Sequence, residues 1–566
     1  MIPKTLSLTS ISPFLLPQFK IPKSHNPGRV TIICKSVNSQ PQQQTQPELS
    51  VSGPESQGTG AAAPTRGDIF LERQQLLAAS SSSSSSSSLV IEKKKKKKKE
   101  KTSGSLKVAT FCCYGCGAPL QVSEMDAPGY VDPETYELKK KHRQLRTILC
   151  GRCRLLSHGH MVTAVGGNGG YAGGKQFVTA EELREKLRHL RHEKALIVKL
   201  VDIVDFNGSF LAHVRDLAGA NPIILVVTKV DLLPKGTDFN CVGDWVVEAT
   251  MRKKLNVLSV HLTSSKSLVG ITGVVSEIQK EKKGRDVYIL GAANVGKSAF
   301  INAILKMLSD KDPVAAMARK YKPIQSAVPG TTVGPIQINA FLGGGKVYDT
   351  PGVHLHHRQA AVVHSQDLPA LAPRSRLRGQ SFTKEVVKDQ WVSEKTEFNS
   401  LTGFSIFWGG LVRIDVLKVL PETCLTFYGP KAVKLHIVPT NKADDFYKKE
   451  LGGLLTPPSG EQVEEWAGLE TARQLRITFD DTQRPACDVA ISGLGWITVE
   501  TVSQALKEPD ADVIPDATVI SLDVHVPKAV EIFVRPPLPV GKVGGEWYQY
   551  RDLTEKEEET RPKWYF

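Results

Sequence analysis

No aspartate or glutamate occurs before Glu48. The acid-free stretch 1–35 is rich in Ser, Thr, Pro and Lys and holds a single arginine, Arg29. It reads as an organelle transit peptide rather than an untargeted tail. Its shortage of arginine, and the want of a clear basic amphipathic helix, favour a plastid over a mitochondrion. Long apolar runs are missing as well. None approaches the roughly 18 residues that span a bilayer, which excludes a transmembrane helix. Cysteine is sparse, with nine in 566 residues. That excludes a dense disulfide framework, and four of the nine stand in CxxC pairs, a usage typical of metal binding in a reducing compartment.

The length suggests three or four domains. Hydrophobic content of 40% and charged content of 23% are ordinary for a globular protein. The net charge is +15, of which residues 1–101 carry +9 and the remaining 465 carry +6. This balance suits an anionic partner without proving nucleic acid. Residues 36–104 run through a Gln/Pro-rich segment, Ser80 to Ser88 and Lys93 to Lys99. Such composition cannot bury enough apolar surface to offset chain entropy and is expected to be disordered. Its lysines either stay solvated as a tether or touch RNA.

The first folded unit, expected over 105–165, is built on Cys113-Tyr-Gly-Cys116 and Cys150-Gly-Arg-Cys153. Each CxxC forms a knuckle that sets two thiolates on one side of a metal, and two knuckles complete the tetrahedral cage zinc prefers. The 33 residues between the pairs exceed ribbon spacing and point to a treble-clef-like arrangement with a basic helix over Glu134–Arg146. With cysteine at all four positions no ligand site is left for a catalytic water, so the zinc is structural. A redox dithiol is the other reading, and Cys112 could replace Cys113 as first ligand.

After a glycine-rich loop, Gly166–Gly174, and a helix over Glu181–Glu193, an α/β domain is expected over 175–365. Ala195–Val201 and Pro222–Val227 read as central strands of a parallel sheet. The second leads into Thr228-Lys229-Val230-Asp231, the [NT]KxD pattern. Its Asp accepts from guanine N1 and N2 and its Lys stem packs on the ring, so adenine would leave a buried carboxylate unpaired. Val257–Val260 delivers Thr263-Ser264-Ser265-Lys266, similar to the motif whose backbone meets guanine O6. A helix over Val274–Lys283 then meets the strand Asp286–Leu290 and the phosphate loop Gly291-Ala-Ala-Asn294-Val295-Gly296-Lys297-Ser298, followed by Ala299 and a helix. Backbone N–H groups and the helix dipole there face phosphates. Lys297 reaches the β- and γ-phosphates and Ser298 holds magnesium. Pro329-Gly330-Thr331-Thr332 is the candidate switch one, with Thr332 on magnesium. Asp349-Thr-Pro-Gly352 is the DxxG switch two, its Asp on magnesium and its Gly N–H on the γ-phosphate.

All five guanine-nucleotide motifs are present, but the base-recognition pair precedes the phosphate-side motifs. Circular permutation explains this, with the ordinary termini joined near Gly284 and new ends opened after switch two. The permuted order, the four-cysteine knuckle and Ser492-Gly-Leu-Gly-Trp496 resemble the YqeH family of circularly permuted GTPases, in its branch of plant nitric-oxide-associated proteins. The resemblance covers about residue 110 onward. It implies a role in assembling the small ribosomal subunit, with ribosomal RNA or protein as partner. The alternative is a nucleotide-gated regulator with a protein partner, linked only indirectly to nitric oxide signalling. No haem, flavin or dinucleotide motif supports oxidation of arginine. The oligomeric state is not legible.

One residue type is missing where chemistry would use it. Val353 follows the DxxG glycine, where many GTPases carry a glutamine that orients water, so hydrolysis is expected to be slow unaided. Asn294 in the phosphate loop resembles the residue that places potassium near the phosphates in potassium-activated relatives. Its other reading is a loop-stabilising hydrogen bond. The catalytic group expected is therefore Lys297, Thr332, Gly352 and Asn294, with GTP, magnesium, zinc and potassium as cofactors. His354, His356, His357 and His364 are expected on a solvated, mobile switch. Residues 366–400 read as a linker, and 401–566 as a mostly β domain that binds RNA or protein, with strands such as Val412–Val416 and Ala529–Val534.

Overall fold

A computed structural model describes residues 111–158, 178–326, 330–391, 399–470, 472–479, 484–501 and 519–566, and the backbone of one earlier strand, β1 (Ile33–Lys35). The expected tether over 36–104, the loop Gly166–Gly174 and all of the acid-free segment before β1 lie outside the described residues. β1 itself falls within the stretch expected as transit peptide and pairs along a sheet edge.

The α/β domain is built on β2 (Ala195–Asp202), β3 (Ile223–Thr228), β4 (Ser259–Leu262), β5 (Asp286–Leu290), β6 (Ile336–Ile338) and β7 (Val347–Asp349). β2 and β3 are buried at every position, as their β-branched runs require of a sheet covered on both faces. The sheet runs β4-β3-β2-β5-β7-β6, parallel except for the last pair. Lys199 interrupts the apolar run of β2. Its ammonium donates to the Leu211 carbonyl at 2.8 Å and lies 3.4 Å from the centroid of the Phe210 ring. Burial pushes its pKa well below the usual lysine range.

Two expected helices end early. The helix Pro133–Lys141 stops where Arg143 takes a φ of 56°, and a short 3₁₀ turn, Leu145–Thr147, follows it. Ala180–Lys186 likewise gives way to 3₁₀ geometry over Arg188–Arg191. In both cases residues around the break bury a leucine, Leu145 or Leu190, so packing overrides helical periodicity.

The chain beyond switch two is mostly strand: β8 (Gln380–Phe382), β9 (Phe404–Trp408), β10 (Val412–Lys418), β11 (Thr423–Tyr428), β12 (Leu435–Pro439), β13 (Arg473–Thr478), β14 (Cys487–Ile491), β15 (Gly495–Thr501), β16 (Val519–His525), β17 (Ile532–Arg535) and β18 (Lys563–Tyr565). One antiparallel sheet runs β1-β13-β16-β10-β9-β12 and another β17-β14-β15-β11-β8. Alternate residues such as Val412, Ile414 and Val416 of the first, and Leu425, Phe427, Val489 and Ile497 of the second, fill one apolar core.

Two stretches differ from the sequence reading. Residues 366–400, expected as a linker, supply β8, which pairs with β11, and bury Leu368, Leu377 and Phe382. The end of the stretch expected as C-terminal domain returns to the α/β sheet. β18 pairs parallel with β4 and becomes its edge strand. The cause is aromatic: Phe566 stacks on Phe239 at 4.1 Å and Tyr565 on His261 at 5.0 Å. The Tyr548 hydroxyl donates to Asp244 at 2.6 Å, and Arg561 pairs with the same carboxylate.

Trp564 lies so close over the helix Phe239–Arg252 that a Cβ on Gly243 would fall 2.4 Å from its ring. Gly243→Ala is therefore expected to cost about 1–3 kcal/mol by overpacking. The cost should shrink in a Trp564→Ala background. Urea midpoints of the four chains check this, and a neutral Gly243→Ala would show that the tail is not docked there.

Candidate functional site

β5 ends against a loop that cannot continue as strand or helix. Asn294 and Gly296 take positive φ, 62° and 93°, before the helix Lys297–Leu308 begins. This turns successive N–H groups toward one point, an anion nest at a helix start. Lys297 folds back under it, donating to the carbonyls of Ala292 at 2.7 Å and Gly291 at 3.2 Å. Burial lowers it to about 8, with Asp349 opposing. Asp349, at the end of β7, is held up at about 6 by burial, against the Ser298 hydrogen bond and Lys297. Ser298 Oγ donates to Asp349 Oδ2 at 2.7 Å, while the buried Oδ1 has no hydrogen-bond partner among the described residues. An orphaned carboxylate oxygen beside a hydroxyl is a donor set that suits a magnesium ion. Gly352 packs against the loop, where an added Cβ would lie 2.8 Å from Ala293 Cα and 2.9 Å from Lys297 Nζ.

Two adjoining cavities open over these groups. The first, about 310 Å³, is lined by Asn294, Gly296, Lys297, Ser298, Ala299, Thr332 and Gly352 among others. The second, about 660 Å³, is lined by Thr228, Lys229, Asp231, Ser265, Lys266, Val295 and Ala299 among others. Lys229, Gly296 and Ala299 border both, so the phosphate-side and base-side residues meet on one continuous surface. Thr228 joins the halves: its Oγ1 donates to the Val295 carbonyl at 2.8 Å. The base-side turns are tied to each other by Val230 N–H to the Thr263 carbonyl at 3.3 Å. Three expected residues lie beneath the surface rather than on it. Gly291 and Asp349 support Lys297 and Ser298, and Ser264 is fully buried, bracing the turn through Ser267 N–H.

Sequence reasoning missed part of the lining. Asp202 pairs with Lys229. Arg358 donates from Nε to Asp205 Oδ2 at 2.8 Å and from Nη1 to the Ala293 carbonyl at 2.7 Å. Burial raises the pKa of Asp205, and the Arg358 charge opposes it. Gly493 and Leu494, distant in sequence, complete the phosphate-side wall. Asp202 and Asp205, two acids three residues apart after the apolar run of β2, were the available signal; nothing in the sequence joined them to Lys229 or Arg358. The histidine segment is only partly solvated: His356 is exposed and His364 half-buried. His354 is buried, and His357 Nε2 lies 3.0 Å from the Gly208 carbonyl.

In the knuckle, the sulfur atoms of Cys113, Cys116, Cys150 and Cys153 all lie within 4.8 Å of one another and are buried. Gly115 and Cys150 N–H groups donate to Cys113 Sγ at 3.4 and 3.3 Å. Cys112 is exposed, which leaves Cys113 as the cluster member. Hydrogen bonds from its three neighbours pull Cys150 well below the usual thiol range, whereas those with Cys113, Cys116 and Cys150 push Cys153 up. Four buried sulfur atoms this close together fit a soft divalent cation that would replace their protons, and zinc suits such a set.

Comparison with known proteins agrees with this geometry. Residues 286–380 match the family described as 50S ribosome-binding GTPase, and residues 422–509 the family described as YqeH-like, C-terminal. The chain is 67% identical over 537 residues to NO-associated protein 1, chloroplastic/mitochondrial, of Arabidopsis thaliana, covering 95% of this chain and 94% of that one. It is 64% identical over 521 residues to a protein of Oryza sativa subsp. japonica provisionally named a nitric oxide synthase, covering 91% and 93%. It is 31% identical over 428 residues to the uncharacterized protein YqeH of Bacillus subtilis (strain 168), covering 75% and 98%. The plant name agrees with the chloroplast address expected from the acid-free N-terminal composition. With the nucleotide motifs gathered on one surface and both family matches in place, this chain belongs to the YqeH-related GTPases, in the branch of the plant NO-associated proteins.

Proposed function

We propose that this chain is a slow GTPase switch that serves assembly of the small ribosomal subunit in the chloroplast, with its knuckle and C-terminal domain meeting ribosomal RNA or protein. The observation that carries this reading is the shared wall of the phosphate cavity. Gly493 and Leu494 of the C-terminal domain line it together with Lys297, Thr332 and Gly352. Gln359 N–H, just past switch two, donates to the Ser492 carbonyl at 2.9 Å. A change in switch two therefore bears directly on the domain that follows it.

Circular permutation accounts for the motif order. β3 and β4 precede β5 in the chain yet lie across β2 from it. The helix Ile271–Lys282 reaches β5 through Lys283 and Gly284, both at positive φ. On this reading Lys297 binds the β- and γ-phosphates. Ser298, Thr332 and Asp349 hold magnesium, whose charge offsets that developing on the transferred group. Asp231 accepts from guanine, and Ser265 and Lys266 flank the base. Val353 is buried and held by bridges to Ala292 and Val178. It offers water no hydrogen bond, so a potassium ion placed by the Asn294 side-chain oxygen is left to supply the further positive charge. Groups for triphosphate and guanine suit hydrolysis, not arginine oxidation. One family description names the 50S particle, whereas the YqeH resemblance implies the small subunit. RNA crosslinked to the protein in the organelle, then sequenced, decides between them, and recovery of no ribosomal RNA overturns the assembly role.

Asp231→Ala is expected to weaken GTP roughly 10–100-fold, the loss of hydrogen bonds to a charged group, and to leave ATP unaffected. Lys297→Ala should lose the triphosphate. Titration with fluorescent nucleotides checks both, and equal affinity of the intact chain for ATP and GTP would refute the base assignment.

Hydrolysis is expected to run faster in potassium than in sodium at equal ionic strength, with Asn294→Ala removing the difference. Phosphate release measured in the two salts tests this; identical rates would leave Asn294 as a loop residue.

A further inference from the structure

The knuckle and switch one are joined by their backbones. The Cys116 carbonyl accepts from Val333 N–H at 2.7 Å and from Gly334 N–H at 3.1 Å. One residue back, the Gly115 carbonyl accepts from Ile324 N–H at 3.2 Å. Arg152, set between two of the cluster cysteines, reaches the other side. Its Nη2 donates to the Gly330 carbonyl at 3.0 Å and its Nη1 to the Thr331 carbonyl at 3.4 Å. Arg152 is 8% exposed, and its Nε has no hydrogen-bond partner among the described residues. Those two carbonyls are thus what offsets its burial. The surfaces touch without space for a side chain: a Cβ on Gly117 would lie 2.2 Å from the Gly334 oxygen, and one on Gly334 2.5 Å from the Gly117 oxygen. Thr332 sits between the two held segments.

We propose that the four-cysteine knuckle is the wall on which switch one is assembled, and that Arg152 is a positioning residue for Thr332. Arg152 acts through the carbonyls of residues 330 and 331 and does not itself touch nucleotide. The proposal rests on the GTPase reading. In GTPases at large, the γ-phosphate and its magnesium order switch one, and hydrolysis releases it. Here residues on both sides of Thr332 are already tied to the four-cysteine module, whose fold a bound metal would brace. Nucleotide that orders Thr332 must then also tighten the wall, and by reciprocity an intact wall must favour the triphosphate. Metal retention by the knuckle becomes a reporter of nucleotide state.

The test uses the full zinc-loaded chain and a chromogenic chelator that reports zinc release. With magnesium and a non-hydrolysable GTP analogue, release is expected to be about 5-fold or more slower than with GDP, the low end of ordinary coupling between sites. Arg152→Ala should bring the two rates together while retaining one zinc per chain and unchanged affinity for a fluorescent GDP. If that variant loses its zinc, Arg152→Lys, which keeps the charge but not the two-pronged geometry, takes its place. Equal release rates in the unsubstituted chain, with both nucleotides shown to be bound by fluorescence, would overturn the proposal. Failure to bind either nucleotide would overturn the GTPase reading instead. A variant that keeps the full difference removes Arg152 from the role.

Discussion

A lysine and an aspartate buried under the glycine loop set the terms for the rest of the molecule. Lys297 and Asp349 are both held toward their neutral forms by burial, and charges taken out of water cost several kcal/mol each unless paired. Neither is fully compensated by protein: Lys297 leans on two carbonyls and Asp349 keeps an oxygen without a partner. A polyphosphate with its cation supplies both missing charges at once. The surroundings serve to keep that arrangement dry and in register. β5 and β7 run side by side so that the loop and the DxxG turn leave the sheet together, and Gly352 has no Cβ to hold them apart.

Around this pair the chain closes from two sides. The knuckle reaches switch one through backbone hydrogen bonds on one side of Thr332 and through the Arg152 side chain on the other. The C-terminal domain reaches switch two through a tight approach of its own. Gly493, at a φ of 80°, would put a Cβ 2.9 Å from Gln359 N, and Gly208 is similarly confined between Asp205 and Ser492. Glycines at these contacts permit main chain to meet main chain. The nucleotide cavity is thus bounded by segments that lie far apart in sequence.

The motifs were legible because each has a local cause. A phosphate loop needs a strand, glycines and a helix start within about fifteen residues, and β5, Gly291–Gly296 and the helix from Lys297 fall where that pattern puts them. Paired CxxC spacing identified the cluster in the same way, and only the exposure of Cys112 separated it from Cys113. What escaped was non-local. Arg358 follows switch two closely, but its partners Asp205 and Ala293 come from other elements. β8 reads as polar linker because an edge strand of three residues has too little periodicity to register. β18 was assigned to the C-terminal domain since only Phe239, His261 and Gly243, roughly 300 residues earlier, show where its aromatics belong.

That last pairing has a consequence for the order of folding. β4 and the strand that covers its edge are roughly 300 residues apart, and a contact of such long range cannot form until the intervening chain has been brought together. An uncovered parallel edge is a template for stray pairing with another chain. The base-recognition half therefore keeps an open edge until the far end of the chain docks, and loss of the terminal aromatics would leave that edge bare in the folded protein.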